Sequence, residues 1–489
     1  MGGESKAPKH LSSFCGSFVN LIFAISSQFA GAVATVEFLM YFDYFARKDY
    51  GENYLTTNTE EIKNHFQHVI YAINQPAAAR GYQSVFWNIS LYDQMYFDSM
   101  FGEFVFPDMI KPSWDSVKNI QSFFMTWFNN ERKSALLTFP VVTAAMLVKD
   151  GKPIDEEFSD MCSTQLSEGN SFFIYQSENA DSLASCCRLR SEISDNTFSY
   201  SLGAGGVSTG SINVITINMN RLIQDGRDLK TEIRKVQKYQ VAYRKLMEEY
   251  KNNGLLPVYD AGFINLDKQF LTIGINGMVE AAEYKGIEIS DNEEYKQFIE
   301  SNLKVIYDEN KLAKKEFGYM FNTEFVPAEN LGVKNSKWDS IENYEVKREC
   351  YNSYFYIVED ESINIIDKFI LHGKDYIKYL DGGSALHMNL EEYPTKEGFK
   401  KLLNIAAKTG CNYFCFNIKV TICNECEYID KQTKHECSKC GSKNIDYGTR
   451  VIGYLKRITN FSSSRQKEEK RRSYKTIKEE KVIEQCEIL

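Results

Sequence analysis

Three groups of residues in this chain have chemistry of their own. The first is Gly453, in Arg450-Val451-Ile452-Gly453-Tyr454. Removing an α-hydrogen from a backbone glycine leaves an unpaired electron shared between the amide nitrogen and the carbonyl, and without a side chain the centre stays planar. Such a glycine can store a radical; read alone, a glycine between β-branched neighbours and an aromatic is a turn or strand bulge. The second group is Cys423-x2-Cys426 and Cys437-x2-Cys440, ten residues apart, which bring four thiolates to one tetrahedral ion. Zinc accepts four sulfurs and needs no open position, with an iron–sulfur cluster as its rival. Lys434 and Lys439 offset the negative charge of such a site, Gly441 permits a tight turn, and His435 reads as a solvent-facing neighbour with no ligand role. The third is the adjacent pair Cys186-Cys187, followed by Arg188-Leu189-Arg190. Taken alone it reads either as two ordinary buried thiols or as a reactive one.

The elements that must position these groups alternate between helix and strand. Phe14, Phe18, Leu21, Ile22 and Ile25 follow helical spacing, and the pattern resumes at Glu37-Phe38-Leu39-Met40-Tyr41-Phe42, which predicts core helices between 11 and 75. Val85 to Tyr92 predicts a strand with Asn88 and Ser90 on one face. A helix is expected from Asp115 to Thr138 and a buried strand over Leu137 to Ala145. Gly203-Ala204-Gly205-Gly206 is a loop leading to a strand over Ile212 to Asn218, and a charged outer helix is expected from Leu222 to Tyr250. The composition shifts near Cys411 and again at Ser462, and Arg465 to Glu484 reads as a solvated helix or frayed tail. Thr209, Ser211 and Asn213, with Asn88 and Ser90, are polar groups at strands that suit a ribose or phosphate, or equally strand-edge hydrogen bonds. His387, after the turn Gly382-Gly383-Ser384, reads as structural.

With 489 residues, 43% apolar and 14% aromatic, the chain supports a sizeable core. A formal charge of −9 without a basic domain argues against a primary nucleic-acid binder. Twelve cysteines, four in metal-like spacing, suit a reducing compartment, so a cytoplasmic protein is expected. Met1 to Lys6 lacks a signal-peptide pattern, and Phe18 to Ile25 is too short a run for a bilayer span, so no membrane association is expected.

The stretch from Cys423 to Tyr474 resembles the C-terminal end of anaerobic (class III) ribonucleoside-triphosphate reductases, in which zinc-binding cysteines precede a glycyl-radical loop. Ser26 to Ala34, Tyr41 to Lys48, Gln83 to Asn88, Ser208 to Asn218 and Asn322 to Glu329 extend the resemblance over essentially the whole chain. It implies an α/β fold: most of a ten-stranded glycyl-radical barrel, incomplete at the N-terminus, over 1–410; a zinc ribbon over 411–445; the radical loop over 446–464; and a charged tail over 465–489.

The implied reaction is reduction of ribonucleoside triphosphates to deoxyribonucleotides without oxygen, supplying DNA precursors. A separate radical-SAM activase with a 4Fe–4S cluster would use S-adenosylmethionine to make the radical at Gly453. A loop cysteine, Cys187 first and Cys186 in reserve, would become the thiyl that takes the ribose 3′-hydrogen. With Cys187 in that role, Leu189 stands where aerobic relatives carry a carboxylate two positions after the cysteine, which suits formate as the external reductant, with a thioredoxin-type donor as the alternative. Family habit implies a homodimer. The family's N-terminal cysteine has no clear counterpart in Cys15 or Cys162, so a separate N-terminal fragment, or a catalytically incomplete chain, is the alternative expectation. A glycyl-radical lyase, which would lack the ribbon, is a further one.

Overall fold

The computed structural model describes residues 6–76, 83–180, 182–185, 189–192, 210–326, 330–450 and 453–477, with 182–185 and 189–192 as backbone only. Its centre is a set of strands buried on both faces, as runs such as Val141-Val142-Thr143-Ala144-Ala145 require. In chain order they are β1 (Val33–Ala34), β2 (Trp87–Tyr92), β3 (Val141–Lys149) with its short return β4 (Lys152–Pro153), and β5 (Phe173–Ser177). A hairpin follows, β6 (Ser182–Ser185) and β7 (Leu189–Glu192), then β8 (Gly210–Asn218), β9 (Gln269–Asn276), β10 (Met320–Phe325), β11 (Leu386–Leu390) and β12 (Tyr413–Ile418).

Strands β1, β2, β3 and β5 run parallel; β5 meets β12 antiparallel, and β12 lies parallel to β11. A parallel bridge, Glu324 to Gly383, carries the connection to β10, which continues through β9 to β8. Two parallel sets of opposite direction therefore wrap into one barrel wall, and β1 and β8 are its unjoined edges among the described residues. Helices cover the outside. Those at Leu229–Asn252 and Glu293–Phe317 are anchored to β9 and β10 by Gln240 Nε2 on Thr272 O, 2.6 Å, and Asn310 Nδ2 on Thr323 Oγ1, 3.0 Å. In β9 the sheet lies so close to its neighbours that a Cβ on Gly274 would strike Val326 and Thr216.

Helices at Leu11–Ser26, Phe38–Tyr50, Thr59–Asn74 and Trp114–Glu131 appear where the apolar spacing places them. Phe38 meets Trp87 edge-on at 5.1 Å, which seats the first helices on β2. The expected single helix from 222 to 250 is two. The first ends at Gln224, Gly226 takes a left-handed φ of 64°, and Asp228 caps the next at Thr231 N. Asp-Gly-Arg-Asp is thus a stop followed by an N-cap, a signal the charge pattern masks. No helix among the described residues is long and apolar enough to cross a membrane.

After β12 the chain builds a separate four-stranded sheet from β13 (Val420–Cys423), β14 (Ile429–Asp430), β15 (Ile445–Arg450) and β16 (Leu455–Arg457), in the order β14-β13-β15-β16. A short helix, Ser463–Arg471, and an extended tail complete the described chain.

Candidate functional site

The four ribbon cysteines converge. Their sulfurs lie within 4.8 Å of one another, with Cys423–Cys440 and Cys426–Cys437 each at 3.6 Å. Tetrahedral zinc with sulfurs at about 2.3 Å needs S–S edges of roughly this length. Knuckle geometry is also present: Cys426 N points at Cys423 Sγ, 3.5 Å, and Lys439 N at Cys437 Sγ, 3.4 Å. These backbone donors stabilise thiolates, so the donor set fits a closed structural zinc site. His435 is exposed and outside the set.

The same sheet carries Gly453 at its other end. Cys423 pairs with Ile445 at the start of β15, whereas Arg450, at the end of that strand, pairs with Leu455 of β16. Gly453 therefore belongs to the turn that joins β15 to β16, and it is buried. At about 3.4 Å per residue the length of β15 separates ribbon and turn by roughly 17 Å.

Arg450 organises the turn. It is 2% exposed; Nη1 donates to Gly453 O at 2.5 Å, Nε to Ser171 Oγ and Nη2 to Ser171 O, both at 3.0 Å. Its guanidinium lies 5.0 Å from the centre of the Phe173 ring. Asn417 Oδ1 accepts from Arg450 N and from Thr449 Oγ1, both 3.0 Å, and Asn417 Nδ2 donates to Asn389 Oδ1 at 2.7 Å. Tyr454 packs on Phe86 and Phe139 at 5.6 and 5.8 Å. A second buried guanidinium, Arg132, donates to Ser171 O at 3.0 Å, and burial with the nearby Arg450 charge pulls it down to about 9.

Phe173 places this turn relative to the barrel. Strand register aligns Ser90, Thr143, Phe173, Cys415 and His387 in one cross-strand row through β2, β3, β5, β12 and β11. On β12 the alternate residues Phe414 and Phe416 pack outward on Phe369 and Phe399 of covering helices, so Tyr413, Cys415 and Asn417 face the inside. The Gly453 turn is thus held against an interior wall rich in polar side chains.

The segment after β16 locks the turn from behind. Glu468 accepts bidentately from Arg472, 2.7 and 2.9 Å, and from Arg465, 3.2 Å, while Arg472 Nη1 donates to Arg450 O at 2.9 Å. Burial pushes the Glu468 carboxyl up, but Arg472 and Arg465 outweigh it and hold it below the usual range. Lys475 then hydrogen-bonds both flanks of Leu390 through Asn389 O and Glu391 N. The expectation of a solvated tail fails here: Arg465, Glu468, Glu469 and Arg472 are buried. Charge density reads as exposure in sequence, whereas mutual pairing lets these groups sit inside.

Asn88 and Ser90 are buried on β2, Ser90 in the interior row. Ser211 is tied to its neighbours: its hydroxyl lies 2.7 Å from Thr272 Oγ1, which donates to Asn322 Oδ1 at 2.6 Å. Asn213 sits at a β8 bulge with its side-chain oxygen without a hydrogen-bond partner. His387 is buried, its ring 5.6 Å from Phe173. Cys186, Cys187 and Thr209 lie outside the described residues; the flanking strands of the cysteine pair form an antiparallel hairpin in register Ser185 to Leu189, with β6 set against β2, β3 and β5. Sequence reading missed Ser171, Phe173, Asn417, Glu468 and Arg472. Only Glu468 and Arg472, at i and i+4, left a trace, and on a charged helix it is indistinguishable from a surface pair.

A barrel with this wall, closed over a buried glycine turn, is the fold of glycyl-radical enzymes. A glycyl radical enzyme from Archaeoglobus fulgidus superposes at a TM-score of 0.60 with 11% identity, over 96% of this chain and 68% of that one. The family model described as anaerobic ribonucleoside-triphosphate reductase matches residues 1–474, and the chain belongs to that family of enzymes, which reduce ribonucleotides to deoxyribonucleotides without oxygen. Solved anaerobic ribonucleotide reductases agree. One is 28% identical at a TM-score of 0.85, covering 97% of this chain and 77% of its own. That from Thermotoga maritima, in complex with dATP and CTP, is 29% identical at 0.83, covering 95% and 78%. A search of curated proteins finds no match.

Proposed function

We propose that this chain reduces ribonucleoside triphosphates through a radical stored on Gly453, and that residues 446–464 act as the radical loop. The observation that carries the reading is the buried Gly453 turn, whose carbonyl is held by Arg450 over the interior residue Phe173. A separate radical-SAM activase bearing a 4Fe–4S cluster removes the Gly453 α-hydrogen using S-adenosylmethionine. The glycyl radical takes a hydrogen atom from Cys187, with Cys186 as the reserve, and the resulting thiyl takes the ribose 3′-hydrogen. Loss of the 2′-hydroxyl as water follows, and formate, or else a thioredoxin-type donor, supplies the reducing electrons.

Asn88, Ser90, Thr209, Ser211 and Asn213 are proposed to contact the ribose or phosphates. Zinc at Cys423, Cys426, Cys437 and Cys440 fixes the ribbon and performs no redox step. The working form is proposed to be a cytoplasmic homodimer that responds to nucleotide effectors, as the dATP complex of the Thermotoga maritima enzyme suggests by analogy. Among the described residues β1 and β8 are unjoined edges, and a further strand there would complete residues 1–410 as a barrel.

The test is anaerobic activation followed by electron paramagnetic resonance and a CTP-reduction assay, with and without an N-terminal fragment. A glycyl doublet that disappears in Gly453→Ala, together with loss of all turnover, is expected. The same doublet in Gly453→Ala would refute the radical site.

A further inference from the structure

We propose that Arg450 is a positioning residue for the radical glycine, presenting a guanidinium to the Gly453 carbonyl so that the carbonyl stays conjugated with the unpaired electron. The inference rests on Gly453 as the radical site and goes beyond it by naming what tunes that radical. Captodative stabilisation needs the amide nitrogen to give electron density and the carbonyl to accept it. A cation hydrogen-bonded to the carbonyl oxygen favours the form in which density has moved onto that oxygen, and in a buried site this effect is scarcely screened.

The geometry is built for this purpose. Among the described residues the three guanidinium hydrogen bonds of Arg450 all end on neutral oxygens: Gly453 O, Ser171 Oγ and Ser171 O. Arg132 adds a second buried guanidinium on Ser171 O. Among the described residues no carboxylate pairs with either arginine, although the adjacent Arg465 and Arg472 share Glu468. Among the described residues the positive charge beside the turn therefore has no paired carboxylate, and the Gly453 carbonyl can draw on it. The plane of that carbonyl is fixed as well, because Arg450 is itself held at four points: Ser171, Phe173, Asn417 and Arg472.

The experiment compares Arg450→Met, Arg450→Lys and Ser171→Ala with the parent after anaerobic activation, each checked for zinc content. It reads the α-proton splitting of the glycyl doublet, the lifetime of the radical and the rate of CTP reduction. Arg450→Met is expected to change the splitting and shorten the lifetime about tenfold, the size of one charge-assisted hydrogen bond. Arg450→Lys should restore part of both, and Ser171→Ala should move them in the same direction by less. A purely structural arginine would lower radical yield while leaving the splitting of the remaining radical unchanged. Parental splitting and lifetime in Arg450→Met, or in both other variants should Arg450→Met fail to fold, would overturn the proposal. A parent protein without a doublet, or a doublet that survives Gly453→Ala, would instead overturn the radical site itself.

Discussion

At one end of β15 four cysteines within 17 positions of one another gather their sulfurs; at the other end Arg450 reaches Ser171, 279 positions earlier in the chain. Both ends belong to the same small sheet, yet the ribbon closes on itself while the Gly453 turn is closed by the barrel. Metal ligation makes a short segment self-sufficient, because binding energy replaces the core that it lacks. A glycine that must meet a barrel interior gains nothing from local closure. Its position has to be dictated by the wall it serves, through Asn417 on β12, Ser171 and Phe173 at β5, and the returning tail.

The comparison is sharpened most by attacking the ribbon. Cys423→Ser should remove the bound zinc and unfold the ribbon, since structural zinc sites hold apparent energies on the order of 10 kcal/mol. Metal analysis and calorimetry check this, and full zinc occupancy in the variant would sink the local-closure argument.

A smaller loss is expected at the other end. Glu468→Gln leaves Arg465 and Arg472 buried without their carboxylate and should destabilise by roughly 3–5 kcal/mol. Denaturant melts should register it while zinc content stays at the parental level. Loss of zinc along with stability would show that the two ends are not independent.

The smallest effect concerns a place where the ribbon leans on the barrel. Lys431 donates to Asn129 Oδ1 and to Glu168 O, and burial, with the charges of Lys133 and Arg132, lowers it to about 7. Its unfolded value is about 10.4. Between those two values the unfolded chain binds a proton that the folded chain does not, so this group makes the fold progressively more stable as pH rises from about 7 to 10. Below about 7 both states are protonated and the contribution is flat. Lys431→Met should remove a slope of at most ~1.4 kcal/mol per pH unit. Urea melts at pH 7, 8 and 9 test it, and identical slopes in parent and variant would dismiss the contact as a pH-sensitive one.

How much was legible follows from the same contrast. The cysteine knuckles declare their fold by spacing, and β2 and β3 declare theirs by apolar, β-branched runs. Helix caps decided what periodicity blurred, as where Gly226 and Asp228 split one expected helix into two. The charged tail misled because Arg465, Glu468 and Arg472 look like any solvated helix until their partners are known. Substrate contacts were equally ambiguous in sequence: Ser211 turns out to be bonded across β8, β9 and β10, while Asn213 sits at a bulge.

Residue types and short spacings by themselves determined most of the elements and the four-cysteine ribbon, because each depends on neighbours a few positions away, whereas Gly453 was singled out by the family resemblance and not by its own neighbours. Tertiary structure alone decided that Gly453 is buried, that Arg450 faces its carbonyl, and that Phe173, Cys415 and His387 share one interior row. Those relations are set by strand register and barrel closure across hundreds of residues, and no local pattern encodes which distant strand will lie alongside.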